Sequence, residues 1–475
     1  MEEKREKRAA LWSAALLLIL AAALAAGLWL SGRTAGESSV PAAAPAPNPT
    51  AAPGVFISGQ YYPRKTQELR LKGDAVTAGE LRQALTVLEN LRLAEIPQGK
   101  FDFADQLELK REHPEIRFVW PVTVCGHVFL STDEDLRFAG TEDFTARSLE
   151  EIRERSELFY SLRSVDLTGC ALDSDALHQL DLALGDVDVV WTFPLYGKEV
   201  CSTDREIDLS GIAVKDKGAQ AEEALPYFTH LEKVVMCECG VSDKDMDALN
   251  NRHEDVRFVW MVDIQWAAIR TDSDFFIPYR SSGVKQTRRR AGLSGLQYCP
   301  DLIALDIGHA HTQDISYIRV MPHLKYLILA ENYVVDISPL EDLKELKWLE
   351  MFQCVTRDLS PLLGCTALED LNICYLVAPR DNVFETLKQM TWLKRLWVSG
   401  SPLTKKQVAE LREALPDCEI WNKMGDESTG STWRFSESYY EMRDAFHMYY
   451  MNITGNRTRR LSPEELQKVH DKFWK

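Results

Sequence analysis

The chain has 475 residues, 45% of them hydrophobic and 27% charged, which excludes wholesale disorder and allows either a few ordinary domains or one long repeat array. Its 72 acidic and 55 basic residues give a net charge of −17. That excludes a general phosphate-backbone binder, which needs a surplus of Lys and Arg, and the short run Arg288-Arg289-Arg290 reads as a solvated loop.

Residues 1–8 form a charged tail. Ala9 to Leu30 is a run of 22 uncharged, mostly apolar positions, about 33 Å as a helix at 1.5 Å per residue. Trp12 and Trp29 stand near its two ends, where amphipathic rings favour the headgroup zone. Lys4, Arg5, Lys7 and Arg8 precede it, so the expected topology is single-pass, N-terminus cytoplasmic and everything after Leu30 outside. A cleaved signal peptide ending near Ala23-Leu24-Ala25 is the competing reading, but the apolar run continues past it through Trp29 and Leu30. No cysteine follows before Cys125, which excludes a lipoprotein anchor. Residues 31–60 read as a Pro/Ala-rich stalk, extended at about 3 Å per residue.

Residues 61–280 carry a spaced apolar motif: Leu88/Leu91/Leu93, Leu162/Val165/Leu167 and Leu231/Val234/Met236. Each copy is followed by a strand-like run ending in tryptophan, at Trp120, Trp191 and Trp260, 71 and 69 residues apart. Helical stretches at Ser148–Leu162 and Ser174–Leu184 lie between. These are modules of about 70 residues, each holding two or more irregular repeats and an inserted hairpin.

Residues 281–425 are regular. The pattern L-x-x-L-x-L recurs at Leu302/Leu305/Ile307, Leu324/Leu327/Leu329, Leu346/Leu349/Met351 and Leu368/Leu371/Ile373, in steps of 22, and again at Leu393/Leu396/Val398 after 25. Asp314-Ile315-Ser316, Asp336-Ile337-Ser338 and Asp358-Leu359-Ser360 keep the same step. The three apolar positions point inward from a short strand, and stacked turns complete each other's core. On these residues the sequence resembles the leucine-rich-repeat superfamily, in the 22-residue class of bacterial internalin-like surface proteins, over about Leu302 to Trp421.

That resemblance implies an α/β solenoid with parallel strands on its concave face. It also implies an Asn or Cys three residues after the last inward position, bonding the turn, as at Cys170, Cys239, Asn332 and Cys354; such buried thiols are expected to stay reduced. The positions between inward residues then face the concave side. They include Tyr326, Ile328, Trp348, Phe352, Tyr375 and Trp397 beside Asp306, Glu331, Glu350, Asp370 and Arg395, and exposed aromatics in one patch are the composition of an interface. The expected partner is a protein or a surface glycan. The competing possibility is that the C-terminal helices cover this face.

Residues 426–475 are expected to form a helical C-terminal cap: a helix over Ser436–Met451 and another from Ser462 to Trp474, packing Tyr440, Phe446, Tyr449 and Trp474 on the last turn. No catalytic motif, cofactor fingerprint or metal-ligand spacing stands out. His309 and His311, with Asp306 and Asp314 nearby, read as strand-end and turn residues rather than ligands. The expectation is a membrane-anchored binding protein, without enzymatic activity, cofactor or nucleic-acid partner. The alternative is an envelope-organising spacer whose C-terminal helices make the contacts.

Overall fold

Parallel strands of three residues are the repeating unit of the computed structural model. It describes residues 53–425 apart from 73–75, 142, 265–266, 278–284 and 287–291, then residues 432–434, 436–447, 450–451 and 457–458. The apolar run 9–30, residues 31–52, the Arg288–Arg290 cluster, Tyr449 and the helix expected from Ser462 lie outside the described residues. Among the described residues no helix is long and apolar enough to cross a membrane.

The regular half is one seven-stranded parallel ladder: Phe275–Phe276, Ala304–Asp306, Tyr326–Ile328, Trp348–Glu350, Asp370–Asn372, Arg395–Trp397 and Glu419–Trp421. Leu305, Leu327, Leu349, Leu371, Leu396 and Ile420 pair in register down its centre. All but Ile420 are fully buried, because alternation in a strand sends the middle residue inward and its neighbours outward. A 22-residue turn leaves room only for a 3₁₀ segment on the return side, such as Ser316–Val320, Ser338–Leu340 and Ser360–Gly364. The recurring aspartates close an Asx turn just before each of them, accepting from the N–H of Ser316, Ser338 and Ser360 at 2.8–2.9 Å. The 25-residue step has room for a full helix, Arg380–Gln389.

The resemblance-based bonding position is occupied as expected. Asn332 Nδ2 donates to the carbonyls of Ile307 (2.8 Å) and Leu329 (2.9 Å). The thiols of Cys170, Cys239 and Cys354 donate to those of Phe138, Leu209 and Leu329, each the last inward residue of the preceding turn. All ten cysteines are free thiols.

The first half is built from the same strand in groups of three: Glu68–Arg70 with Leu93–Glu95 and Arg117–Val119, Asp135–Arg137 with Ser164–Asp166 and Asp188–Val190, and Glu206–Asp208 with Lys233–Val235 and Arg257–Val259. An antiparallel hairpin precedes each group: Gly54–Ile57/Gln60–Pro63, Pro121–Val124/His127–Leu130 and Thr192–Leu195/Lys198–Cys201. Their turns, Ser58-Gly59, Cys125-Gly126 and Tyr196-Gly197, hold both residues at positive φ, the geometry whose twist matches a hairpin. A fourth hairpin, Met261–Ile264/Ala267–Arg270, opens the long ladder.

Each of the last three hairpins ends a sheet by taking over its last backbone groups. The N–H of Trp120, Trp191 and Trp260 donates to Ser131 Oγ (3.3 Å), Ser202 Oγ (3.1 Å) and Thr271 Oγ1 (3.2 Å) on the returning arm. Their carbonyls accept from the N–H of the same three residues. All three tryptophans and all three hydroxyl residues are buried. Leu329 follows the Tyr326–Ile328 strand without a hairpin, and its N–H goes instead to Glu350 of the next turn, so the fourth group continues as a ladder. One contiguous core nevertheless runs from Ile57 to Leu415.

Four boundaries differ from expectation. The stalk cannot reach residue 60, because Gly54–Pro63 is a hairpin that buries Ile57 and Tyr62 and ties the Tyr62 hydroxyl to the Arg70 carbonyl (2.9 Å). The regular ladder begins at Phe275, before residue 281. In the first module the inward set is Leu91/Ala94/Ile96, with Leu93 facing outward; a slip of one residue changes the face of every side chain. That set starts 71 residues before Leu162, which brings the module into step with the rest. The C-terminal helix covers only Glu437–Ala445, and Tyr450–Met451 pairs with Arg457–Thr458 as a short antiparallel ribbon.

Candidate binding interface

The outward positions of the long ladder form its second, smaller apolar cluster. A C-terminal segment, a 3₁₀ turn Thr432–Arg434 followed by the helix Glu437–Ala445, lies across them like a strap. Trp433 stacks on Trp348 (ring centroids 4.3 Å apart, 20° between planes) and meets Trp397 edge-on at 4.7 Å. Trp397 stacks in turn on Trp421 at 4.7 Å. Tyr439, Met442 and Phe446, at i, i+3 and i+7 of the helix, bury into the same cluster with Ile277, Ala304 and Cys374.

This corrects the expectation of an exposed aromatic patch. Trp348 and Trp397 are both 0% exposed and Tyr326 only 7%, while Ile328, Phe352 and Tyr375 are half-buried at the edge of the strap. It also corrects the expected cap, since Phe446 is buried on the strand face rather than over the last turn. The physical reason is area. A helix with three apolar side chains on one face needs an apolar surface, and Trp348, Trp397, Tyr326 and Cys374 supply more of it than Ile420 and Trp421 at the solenoid's end.

Polar bonds fix the register of the strap. Ser436 is the helix N-cap: its Oγ accepts from the Tyr439 N–H (3.1 Å) and donates to Asp370 Oδ2 (2.6 Å). The other oxygen of Asp370 pairs with Arg395 Nε at 2.6 Å, and Arg395 also donates to Ser438 Oγ at 3.1 Å. Asp370 is fully buried, and burial raises its pKa while Arg395 draws it down. On the other side of the helix, Glu441 pairs with Lys347 and accepts from the Tyr326 hydroxyl at 3.2 Å.

Two half-buried carboxyls on this face, Asp306 and Glu350, lie in the field of Arg434. Burial pushes Asp306 up to about 6, against the Gly308 N–H, His309 and Arg434, and pushes Glu350 up to about 7, against Arg434, Trp433 and His309. Neighbouring Asp306 raises Glu350 further. Trp348 Nε1 and Arg434 Nε are buried without an acceptor.

The strand face of the first half carries side chains of another kind. Its outward positions include Glu68 and Arg70 (paired at 3.0 Å), Asp135 and Arg137, and Glu206 with Lys233 (3.2 Å). These are exposed or half-exposed, and pair with each other or with neighbours such as His230, 3.1 Å from Asp188. A cleft of about 650 Å³ beside the third module is lined by His253, Arg257, Trp260 and Tyr298 among others, but His253 is committed to Glu222 (2.8 Å) and Arg257 to Asp301.

His309 is exposed at positive φ and sits 3.0 Å from Glu331, while His311 stacks on Tyr333. Among the described residues no three His, Cys, Asp or Glu side chains are grouped to hold a metal ion. Trp433, Ser436, Tyr439 and Met442 were not marked by the sequence as site residues. The i, i+3, i+7 spacing of Tyr439, Met442 and Phe446 was the available signal, and it names a buried helix face without naming what it meets.

No family model and no curated protein matches the chain. Solved structures to which it is similar include internalin C2 of Listeria monocytogenes, 19% identical, covering 29% of this chain and 71% of that one at a TM-score of 0.23. Another internalin of that organism is 13% identical over 76% of this chain and 83% of its own, with a TM-score of 0.24. A leucine-rich-repeat protein of Leptospira interrogans is 12% identical over 71% and 91%, with a TM-score of 0.25. The description of this chain as an α/β repeat solenoid rests on its own strand ladder, not on these scores.

Proposed function

We propose that this chain is a membrane-tethered protein-recognition scaffold. Residues 9–30 anchor it, the repeats stand outside the membrane, and the face of the seven-stranded ladder is the recognition surface. The observation that supports this most is how that face accepts a helical segment. It offers stacked tryptophans at the centre, a buried Asp370–Arg395 pair that reads a Ser hydroxyl, and Lys347 and Tyr326 converging on a glutamate. Aromatic anchors ringed by directed polar groups are the make-up of a binding hot spot. The half-buried Ile328, Phe352 and Tyr375 extend it past the strap's edge, where Phe352 and Tyr375 meet edge-to-face at 5.6 Å. The spacer alternative has less to work with, because Tyr439, Tyr440, Met442 and Phe446 of the C-terminal helix are already buried on the solenoid.

A photo-cross-linking residue placed at the exposed Gln353, in cells making the full chain, tests the surface. A discrete protein adduct is expected from Gln353, lost on adding Phe352→Asp, and none from Arg137 on the charged face. Adducts from Arg137 alone would sink the assignment. For the tether, N-terminal sequencing of the mature protein should recover the residues before Ala9, and a start at Ala26 would contradict it.

A further inference from the structure

We propose that the second hairpin carries a docking edge of its own, away from the ladder face: its returning arm, His127–Leu130, takes up an extended segment of a partner protein as a third, antiparallel strand. The four hairpins share one register about their turns, in which Tyr61, Val128, Glu199 and Ala268 hold the same place. The pair flanking a two-residue turn exchanges hydrogen bonds. Alternation then turns the N–H and C=O of this next residue to the outer edge of the hairpin.

Such an edge invites pairing with another chain, and three of the four are guarded against it. The first arm ends in Pro63, which has no N–H. The third carries Lys198 and Glu199, both exposed. The fourth is covered: Ala267 and Ala268 pair antiparallel with Gln286 and Lys285, and Ala268 is only 5% exposed. The second has none of these devices. No Asp, Glu, Lys or Arg stands between Pro121 and Thr132, and Val128 is 68% and Leu130 44% exposed.

The rest of this hairpin's rim is closed by its neighbours. Gln106 Nε2 donates to the Pro121 carbonyl (2.8 Å), Arg155 donates to that of Thr123, and Glu151 accepts from the Cys125 N–H (3.0 Å). On the returning arm Asp133 takes both groups of Leu130, accepting from its N–H and donating its own N–H to the carbonyl, each at 2.8 Å. The rung at Val128 is left open.

The fourth hairpin shows what fills such a rung: a two-residue extended stretch running antiparallel to the returning arm. At the second hairpin the partner residue facing Val128 must offer an N–H, which excludes proline. Its side chain lies beside Val128, Leu130 and Thr123, an uncharged surface that favours a β-branched or aromatic residue. Asp133 at the end of the arm repels an acidic side chain and keeps the added strand short. The partner segment is therefore extended, uncharged and read mainly through its backbone.

The test uses the full chain in detergent and a fluorescent heptapeptide of alternating threonine and valine. It should bind the wild type at a single site. N-methylation of the valines should weaken binding at least about tenfold, while N-methylation of the threonines, whose N–H groups point away, should not. His127→Lys with Val128→Glu gives the second hairpin the guard of the third and should abolish binding. Lys198→His with Glu199→Val opens the third hairpin and should add a second site. Both swaps install residues that another hairpin already carries, and thermal unfolding checks that each variant stays folded. Should the guarded variant melt early, Val128→Lys alone repeats the loss.

Equal binding of the two N-methylated peptides would overturn the proposal, since the contact would then be side-chain adhesion. So would unchanged binding to the guarded variant, or an opened third hairpin that gains no site. If the wild type dimerises and the guard abolishes dimerisation, the edge belongs to a second copy and the separate partner falls.

Discussion

The two halves of this molecule present the same strand to the outside and use it in opposite ways. In the first half, sheets stop at three strands and most of their outward residues are charged, paired locally and in contact with water, apart from a small buried patch at Val235 and Val259. In the second, seven strands run unbroken, and their outward residues are aromatic and closed off by a segment from the end of the chain. The difference shows that repeat backbone alone does not define a binding face. Outward residue choice does, and an apolar choice requires a cover.

The largest effect should come from the buried pair under the strap. Asp370→Ala leaves the Arg395 guanidinium enclosed and removes the anchor of Ser436, at an expected cost of about 3–5 kcal/mol. Urea denaturation followed by circular dichroism measures it, and a loss below 1 kcal/mol would mean that the strap is not a packed element. Next comes the device that ends the short sheets. Ser202→Ala removes the hydroxyl that accepts from Trp191 N–H and donates to the Val189 carbonyl (2.9 Å), both buried, for about 1–3 kcal/mol. If Ser131→Ala, at the matching position of the previous module, costs nothing while Ser202→Ala does, the modules are not equivalent.

A smaller effect separates the halves by pH. With the strap docked, Asp306 titrates near 6 and Glu350 near 7; on an opened face both would return to about 4. The closed state then binds protons more tightly, so this contribution to closure is complete below about pH 4 and is lost as pH rises through 6 to 7. Labelling of Cys374, normalised at each pH to a small thiol, should accelerate several-fold between pH 5 and 8. Glu350→Gln should flatten that slope. A slope of the opposite sign breaks the assignment. Smallest of all, Arg70→Ala on the open charged face should move stability by no more than about 0.5 kcal/mol, since its partners Glu68 and Glu95 are solvated.

Most of the architecture was legible because a repeat states its period many times over. Leu302 to Leu393, the recurring aspartates and the Asn/Cys position could all be read from spacing and resemblance. The start of the ladder could not, because Phe275-Phe276 carries no L-x-x-L-x-L. The hairpin at Gly54 was hidden beside a Pro/Ala-rich stretch, and Leu93 invited a register one residue off. The outward residues were correctly placed on one face, yet their exposure was not readable. Strand alternation tells which way Trp348 points. It says nothing of Trp433, 85 residues away, whose lone position ahead of the helix marked it as neither core nor site.

The hairpin clamps have a mechanical side. Pulled by its two ends, a parallel ladder yields from an edge, strand by strand, unless some boundary gives way first. Here the clamps at Trp120, Trp191 and Trp260 divide the backbone hydrogen bonding into separate sheets, so tension should release the first half in lengths of about 70 residues, roughly 230–250 Å of chain each. The strap, which follows the ladder in the chain, takes the C-terminal load directly and should open before the ladder beneath it. The molecule is thus built as a row of links in series, and pulling on its C-terminal side uncovers the aromatic face.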